Sequence, residues 1–200
     1  VFVENETQWN AVTENPHVRN IVIPAVFMLR QSCREKVEED KKHDYYLRLP
    51  VICRKEHFEQ TESMFADMIA SDRIKGVYVN QVDSMAYMKR HYPDKYLCGD
   101  INLYATNNIA IKEILQSVNR FTVSVELKAD ELKHLTLEQG ELMIYGRYPL
   151  MNTANCVFLT HGDCRRGKGE ALTYLKDRKG SSLPVIGYCE EAVCHNTVYN

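Results

Sequence analysis

The sequence predicts an α/β protein built as a TIM-like (β/α) barrel. Short β-branched or aromatic runs alternate with segments of helical period, which is typical of parallel βαβ units. These strand–helix steps, some of them partial, recur about seven times before Tyr145, which favours a barrel over an open sheet. No glycine-rich phosphate loop follows a predicted strand, so a dinucleotide-binding fold is not expected.

The predicted elements follow one another closely along the chain. The first half is predicted as a strand at Val1–Val3, a helix at Glu6–Thr13, a strand at Ile21–Phe27 that bends at Pro24, an exposed helix or loop at Gln31–Lys42, a strand at Tyr45–Val51 and a helix at Glu56–Ser71 with Phe58, Phe65, Met68 and Ile69 in the core. The second half is predicted as strands at Gly76–Asn80, Tyr96–Tyr104, Phe121–Leu127 and Leu142–Tyr145, separated by helices at Val82–Arg90, Ala110–Leu115 with Thr106 as its cap, and Asp130–Leu137.

The pattern changes after Tyr145. Ala171–Asp177 and Leu183–Tyr188 are predicted strands joined by a glycine-containing turn, which indicates a hairpin. We therefore divide the chain into a βα-barrel scaffold, residues 1–145, and a cysteine-rich loop and hairpin insertion of the same domain, residues 146–200.

Composition limits the classes of function. The chain has 200 residues, 44% of them hydrophobic, and a net charge of −2, which gives no overall attraction to nucleic acid or anionic membranes. The longest apolar run, Ile21–Leu29, is shorter than the ~20 residues of a membrane span and contains a proline. The chain begins at Val1 without a methionine, so we expect it to be part of a longer protein.

The seven cysteines are unevenly placed. Cys53 and Cys98 lie at or near predicted strands and are interpreted as core residues, whereas Cys33 lies in a charged segment and is expected to be exposed. A secreted disulfide scaffold is usually shorter and richer in cysteine, so the usage indicates a reducing, cytoplasmic compartment.

The other four cysteines form two pairs on either side of the predicted hairpin, Cys156 with Cys164 and Cys189 with Cys194. Four thiolates suit a tetrahedral metal site or an iron–sulfur cluster. The spacings C-x7-C and C-x4-C differ from the C-x2-C of zinc ribbons, so two loop disulfides or buried free thiols stay open as alternatives. His161 and His195 lie beside the cysteines, as ligands or as ordinary hydrogen-bonding residues.

Candidate substrate-binding residues lie where predicted strands end, because βα-barrels place their chemistry there. Asp100 and Asn102 alternate on one strand, Glu126 follows another, and Arg147 follows the last. A guanidinium can bind a carboxylate or phosphate, and the basic run that begins with Arg165 and Arg166 could do the same. The alternative is that these are solvated or hydrogen-bonded groups at strand ends.

Several motifs together resemble the peptidase U32 family, the collagenase-like peptidases, and in particular its larger bacterial members. They are Asp100-Ile101-Asn102-Leu103, Ser124-Val125-Glu126-Leu127, Tyr145-Gly146-Arg147-Tyr148-Pro149-Leu150-Met151, the Cys156/Cys164 pair, Asp177-Arg178-Lys179-Gly180 with Leu183-Pro184-Val185, and the segment from Cys189 to Asn200.

This resemblance implies a TIM-like barrel that is truncated here before its last strand. The family name implies proteolysis, while members of the wider family resemble oxygen-independent hydroxylation factors for RNA or quinone precursors, some with a [4Fe–4S] cluster on four cysteines. Carried onto this chain, the ligands would be Cys156, Cys164, Cys189 and Cys194. The cysteine spacing differs from that of cluster-bearing relatives, especially in the second pair, so zinc and the absence of any metal both stay open as alternatives.

Three hypotheses follow. The first is a metal- or iron–sulfur-dependent enzyme domain for hydroxylation of RNA or a small anionic molecule, acting with the remainder of its parent chain and without a membrane. The second is a non-catalytic binding domain with structural zinc. The third is a protease, although the sequence has no serine nucleophile elbow, no His-Glu-x-x-His helix and no local Cys–His signature.

Overall fold

The structure is a computed structural model that describes residues 1–52, 65–190 and 193–200. The chain forms two compact units. The first consists of Val1–Leu49 and Phe65–Ile144, and Tyr145–Asn200 makes up most of the second. None of the helices in the described ranges has both the length and the apolar character that a bilayer crossing requires.

The first unit is organised by a six-stranded parallel sheet curled into a half-barrel. Each strand pairs with the next in chain order, which confirms the mixed α/β prediction and is compatible with a truncated barrel. The strands are β1 (Asn20–Pro24), β2 (Asp44–Arg48), β3 (Ile74–Val79), β4 (Tyr96–Gly99), β5 (Arg120–Thr122) and β6 (Gly140–Glu141).

Helices connect these strands, as the sequence predicts. They are α1 (Glu6–Thr13), α2 (Gln31–Glu39), α3 (Val82–His91), α4 (Asn108–Ile114) and α5 (Ala129–Leu132). The predicted cap of α4 is wrong: Asn107, not Thr106, accepts the N–H groups of Ile109 at 3.0 Å and Ala110 at 2.9 Å. Asn is among the best N-cap residues because its short side chain reaches these N–H groups.

Several strands are shorter than predicted, each for a local reason. The first ends at Pro24, which has no N–H to donate to a sheet, and continues as a 3-10 helix, Ala25–Leu29. The fourth ends at Gly99, because the Asp100 carboxylate then accepts the N–H of Ile101 at 2.7 Å and starts a 3-10 helix.

The predicted strands at both ends of the first unit are wrong. Val1–Val3 is reduced to a single bridge between Phe2 and Val22. Leu142–Tyr145 is not a strand, and Ile144 and Tyr145 are 91% and 96% exposed. The last strand is instead the two-residue β6, so apolar character here did not indicate burial.

The segment Glu56–Ser71 is described in part. Residues 65–70 are helical, and Phe65, Met68 and Ile69 are buried, as predicted. Phe58 and Cys53 lie outside the described residues.

Side-chain alternation divides the sheet into two faces. Val22, Tyr46, Tyr78 and Cys98 pack together on one face. The residues between them, which include Ile21, Ile23, Tyr45, Leu47, Val77, Val79 and Leu97, point to the other face and are buried. Cys98 is buried as predicted. Cys33 is also buried, contrary to prediction, because α2 turns it inward together with Val37.

A buried polar network fixes α1 and the segment after α2 to β2. The Tyr45 hydroxyl donates to Asp40 Oδ2 at 2.7 Å and accepts from Trp9 Nε1 at 3.3 Å, and His43 Nδ1 lies 2.7 Å from the same carboxylate. Burial by itself raises the pKa of Asp40, but hydrogen bonds from Tyr45, the Lys42 N–H and His43 lower that pKa to about 2.

The second unit contains a four-stranded antiparallel sheet of order β7-β10-β9-β8. Its elements are β7 (Pro149–Thr153), α6 (Val157–Thr160), β8 (Gly169–Lys176), β9 (Ser182–Cys189) and β10 (Cys194–Tyr199). β8 and β9 correspond to the two strands predicted at Ala171–Asp177 and Leu183–Tyr188. Their turn is formed by Gly180 at φ 88° and by Asp177, whose carboxylate accepts two backbone N–H groups at 2.8 Å.

The substitution Asp40→Asn tests the network on β2. We expect it to lower the free energy of unfolding by about 1–3 kcal/mol at pH 7, because Tyr45 and His43 lose a charged acceptor. The folded-state pKa of Asp40 lies below its unfolded value, so its contribution is present above about pH 4, roughly halves by pH 3 and is lost near pH 2. Urea denaturation at pH 7 and pH 3 measures both values.

Asp130→Asn is the matched control. Its ion pair with Lys133 is exposed, so the change should stay within about 0.5 kcal/mol. If Asp40→Asn lowered the free energy of unfolding equally at pH 7 and pH 3, the lowered pKa of Asp40 in the folded protein would be contradicted.

Candidate metal centre and the other predicted site residues

Cys189 and Cys194 face each other across the β9–β10 pair. The Glu190 N–H donates to the Val193 carbonyl at 3.1 Å. Cys189 and Cys194 form the next pair along the strands, which is therefore a non-hydrogen-bonded pair, and opposing side chains approach most closely in such pairs. The strand register therefore places both thiols side by side on one face of the sheet.

Cys156 joins them from the loop before α6. It occupies the N-cap of that helix, where its Sγ accepts the Leu159 N–H at 3.4 Å. It packs against a buried cluster of Phe158, Ala171 and Cys189. The Cys156 thiol also acts to raise the pKa of Cys194.

Cys164 lies in the exposed loop that leads from α6 to β8. Two backbone hydrogen bonds hold this loop beside the other cysteines. The Asp163 N–H donates to the Phe158 carbonyl at 2.9 Å, and the Gly167 N–H donates to the Cys189 carbonyl. The loop thus returns to the strand that carries Cys189.

The cysteines also influence one another's pKa. Burial raises the pKa of Cys189 to about 11, and the charges on Cys194, Cys156 and Cys164 act in the same direction. Burial also raises the pKa of Cys194, and Cys156 and Cys164 act in the same direction. A thiol must lose its proton to bind a metal, so metal binding here would release protons and strengthen as the pH rises.

The structure thus brings together the four predicted ligands as free thiols. It does not place them as a finished ligand set: among the described residues, no three His, Cys, Asp or Glu side chains already stand where they would hold one metal ion. The disulfide alternative is not what the structure contains, since each of these cysteines is free.

Two side chains position the Cys156 segment. Asn196 on β10 is buried, and its Nδ2 donates to the carbonyl of Asn155 at 2.9 Å, directly before Cys156. Phe158 fits against Gly187 on β9, where an added Cβ would lie 2.5 Å from the Phe158 ring. Neither role could be predicted from the sequence, because both depend on strand register.

Arg147 has a local structural partner. Its Nη1 donates to the Asn200 carbonyl at 2.6 Å, and Tyr148 exchanges further hydrogen bonds with Asn200. The segment before Arg147 is exposed and is not the buried strand that suggested a binding role. The guanidinium therefore fixes the start of β7 to the end of β10.

The structure also shows the surroundings of the basic loop and of the two histidines near the cysteines. Arg165 pairs with Asp163 at 3.0 Å and lies 5.4 Å from the centre of the Phe158 ring, whereas Arg166 is exposed and its charge acts on Cys194. His161 Nδ1 lies 3.1 Å from the Val157 carbonyl, and His195 is buried and stacked on Tyr188 at 4.8 Å. These contacts are the ordinary hydrogen-bonding and packing roles considered above.

The predicted substrate-binding residues of the first unit lie in different surroundings. Asp100 is buried and accepts from Arg48 Nε at 2.6 Å, and Arg48 Nη1 pairs with Glu4 at 2.8 Å. Asn102 is half-buried in the following 3-10 helix, whereas Glu126 is exposed beyond β5. Sequence reasoning missed Arg48, although its even spacing from Tyr46 on β2 places both on the same face.

Comparisons of this chain with protein-family models, with curated proteins and with solved structures gave no match.

The substitution Gly187→Ala tests whether Phe158 holds the Cys156 segment in place. The new methyl group would force the Phe158 ring to move, so we expect the free energy of unfolding to fall by about 1–3 kcal/mol. Chemical denaturation measures the change. Ser182→Ala, at an exposed position of the same strand, should stay within about 0.5 kcal/mol.

A double substitution separates this contact from a general effect on β9. Phe158→Leu should recover part of the loss in the Gly187→Ala background, because the shorter side chain makes room for the methyl group. Additive effects of the two changes would show that the ring and the glycine are not coupled.

Proposed function

We propose that this chain is part of a metal- or iron–sulfur-dependent enzyme domain that acts in oxygen-independent hydroxylation of RNA or a small molecule. One observation carries the proposal: four thiols from three separate segments gather beside one antiparallel strand pair. Hydroxylation is supported by the resemblance of the cysteine region and its flanking motifs to the U32 family, and the metal by the chemistry of the thiols.

The donor set fits the cofactor. Four thiolates are the usual ligands of a [4Fe–4S] cluster, and they also suit Zn²⁺. The backbone N–H of Leu159 donates to the Cys156 sulfur, and such bonds tune the potential of a bound cluster. Arg165 and Arg166 add positive charge beside thiolates that would otherwise repel one another.

The chain's own residues have separate roles in this proposal. Cys156, Cys164, Cys189 and Cys194 hold the cofactor, which when bound would supply electron transfer or substrate activation. Arg166 and Lys168, both exposed, attract an anionic substrate such as RNA. Arg147 is not included, because it already bonds to the backbone of Asn200.

The proposal includes the finer architecture. The half-barrel is interpreted as the larger part of a TIM-like barrel, into which the sheet of Tyr145–Asn200 is inserted. The parallel order of β1 to β6 supports this interpretation. A cytoplasmic location is proposed from the cysteine usage, since thiols stay reduced there.

A structural zinc site is the second candidate. Cys189 is 1% exposed, which favours a closed four-ligand site over one with an open position for substrate. Both candidates use the same four cysteines, so metal content distinguishes between them.

Metal analysis of protein purified without oxygen tests the proposal. We expect about four iron and four sulfide per chain, with visible absorbance typical of an iron–sulfur cluster. About one zinc per chain, with unfolding on chelation, would support the structural site instead. Absence of iron, sulfide and zinc would overturn both.

Serine substitutions show which thiols are ligands. We expect Cys156→Ser, Cys164→Ser, Cys189→Ser and Cys194→Ser each to lower bound metal at least about tenfold. Cys33→Ala removes a buried thiol of the other unit and should leave the metal content unchanged. Equal loss of metal in Cys33→Ala would show that the effect comes from general unfolding.

A further inference from the structure

A row of polar side chains crosses the carboxyl end of the parallel sheet in the first unit. Val79 pairs with Gly99 and Gly99 pairs with Phe121, so the next residues, Asn80, Asp100 and Thr122, continue the register on the opposite face. Their exposures are 2%, 2% and 6%. These are low values for polar side chains at the end of a sheet.

Two of these side chains have unused hydrogen-bonding atoms. Asn80 Nδ2 donates to the Leu49 carbonyl at 2.7 Å, which directs its Oδ1 away from the backbone. Among the described residues, neither Asn80 Oδ1 nor Thr122 Oγ1 has a hydrogen-bond partner. Asn102 Nδ2, in the loop after β4, is a third buried atom of this kind in the described structure. A buried polar atom without a partner costs about 1–3 kcal/mol, so three such atoms in one region indicate a missing partner.

The charge of the region selects the kind of ligand. Asp100 lies between Asn80 and Thr122, and its carboxylate pairs with Arg48, which also pairs with Glu4. Arg48 is thus compensated by two carboxylates, so its charge does not favour an anion here. An amide oxygen needs a hydrogen-bond donor, an amide nitrogen needs an acceptor, and a threonine hydroxyl can use either. A ligand hydroxyl group can donate and accept, so ligand hydroxyl groups can satisfy all three atoms.

Strand spacing sets the size of the ligand. Asn80 and Thr122 lie two strands apart, about 10 Å at ~4.8 Å per strand. Two hydrogen bonds of about 2.8 Å leave about 4–5 Å between the ligand's polar atoms. Two equatorial hydroxyl groups in a 1,3 relation on a six-membered ring have about this spacing.

The segment that follows Asp100 also contains an exposed aromatic side chain. Tyr104 ends the 3-10 helix that begins after Asp100, has φ of 53° and is 57% exposed. A non-glycine residue with this backbone conformation is strained, and such strain often occurs where a loop binds a ligand. An exposed aromatic ring can pack on the apolar face of a sugar ring.

We propose that Asn80, Thr122 and Asn102 bind a small neutral polyol, such as a hexose or cyclitol, at the carboxyl end of the half-barrel sheet. Asn80 Oδ1 and Thr122 Oγ1 contact two hydroxyl groups of the ligand, and Asn102 Nδ2 donates to a third oxygen. This site lies within the first unit and does not depend on the cysteine group.

Ligand-observed NMR with the full chain tests the proposal, with D-glucose and myo-inositol as neutral probes and D-glucuronate as the anionic comparison. We expect saturation transfer to at least one neutral probe and at least about tenfold weaker binding of D-glucuronate. Thr122→Val keeps the side-chain shape and removes the hydroxyl, so it should weaken binding of the neutral probe at least about tenfold. Its melting temperature should stay equal or rise, because the lost hydroxyl has no partner in the unliganded protein.

Thr136→Val is the control, because Thr136 is exposed elsewhere in the same unit. It should change neither binding nor melting temperature. The proposal is overturned if neither neutral probe binds, or if Thr122→Val binds as tightly as the unaltered chain. It is also overturned if Thr122→Val lowers the melting temperature by several degrees, since the hydroxyl would then be satisfied by a buried structural water.

Discussion

The buried contact between Arg48 and Asp100 is the interaction on which the first unit most depends. An uncompensated charge inside a protein costs several kcal/mol, so the 2.6 Å pair and the second carboxylate, Glu4, must be in place once the sheet has formed. These three side chains connect the N-terminal segment, the end of β2 and the end of β4. The other oxygen of the Asp100 carboxylate starts the 3-10 helix after β4, because it accepts the N–H of Ile101. The Asp100 carboxylate therefore both compensates the charge of Arg48 and ends β4.

In the second unit the comparable constraint is strand pairing. Cys189 and Cys194 become neighbours through the β9–β10 register, whereas Cys156 and Cys164 reach them through hydrogen bonds of the intervening loop and the packing of Phe158. Each contact is modest alone, since a typical hydrogen bond contributes about 1 kcal/mol net. Together they bring four thiols to one place without a disulfide.

The order of the parallel strands was predictable because it depends on local periodicity. α1 matches its predicted bounds, and α3 differs by one residue at its end. Strand ends were predicted less well, because they depend on side-chain contacts such as the Asp100 cap. The apolar run before Tyr145 misled for a related reason: hydrophobicity indicates burial only where another surface covers the segment. Cys33 shows the converse, since one inward position on a charged helix is enough to bury a residue.

The site residues show the same difference between features that depend on local sequence and features that depend on distant contacts. The four cysteines could be grouped from sequence because a predicted hairpin lay between them. Arg48, Asn196 and Gly187 could not be assigned, because their partners are distant in sequence and depend on register. Arg147 was predicted to follow a buried strand, whereas the segment before it is exposed and its guanidinium donates to Asn200, which is distant in sequence.

The register of β9 and β10 also decides which face of the sheet carries each thiol. Side chains alternate between the two faces of a strand, so a one-residue slip of β10 against β9 would move the Cys194 thiol to the face opposite that of Cys189. A slip of two residues would keep both thiols on one face but would no longer place them opposite each other. Sequence changes between these two cysteines would therefore preserve the pair as long as they preserve this register.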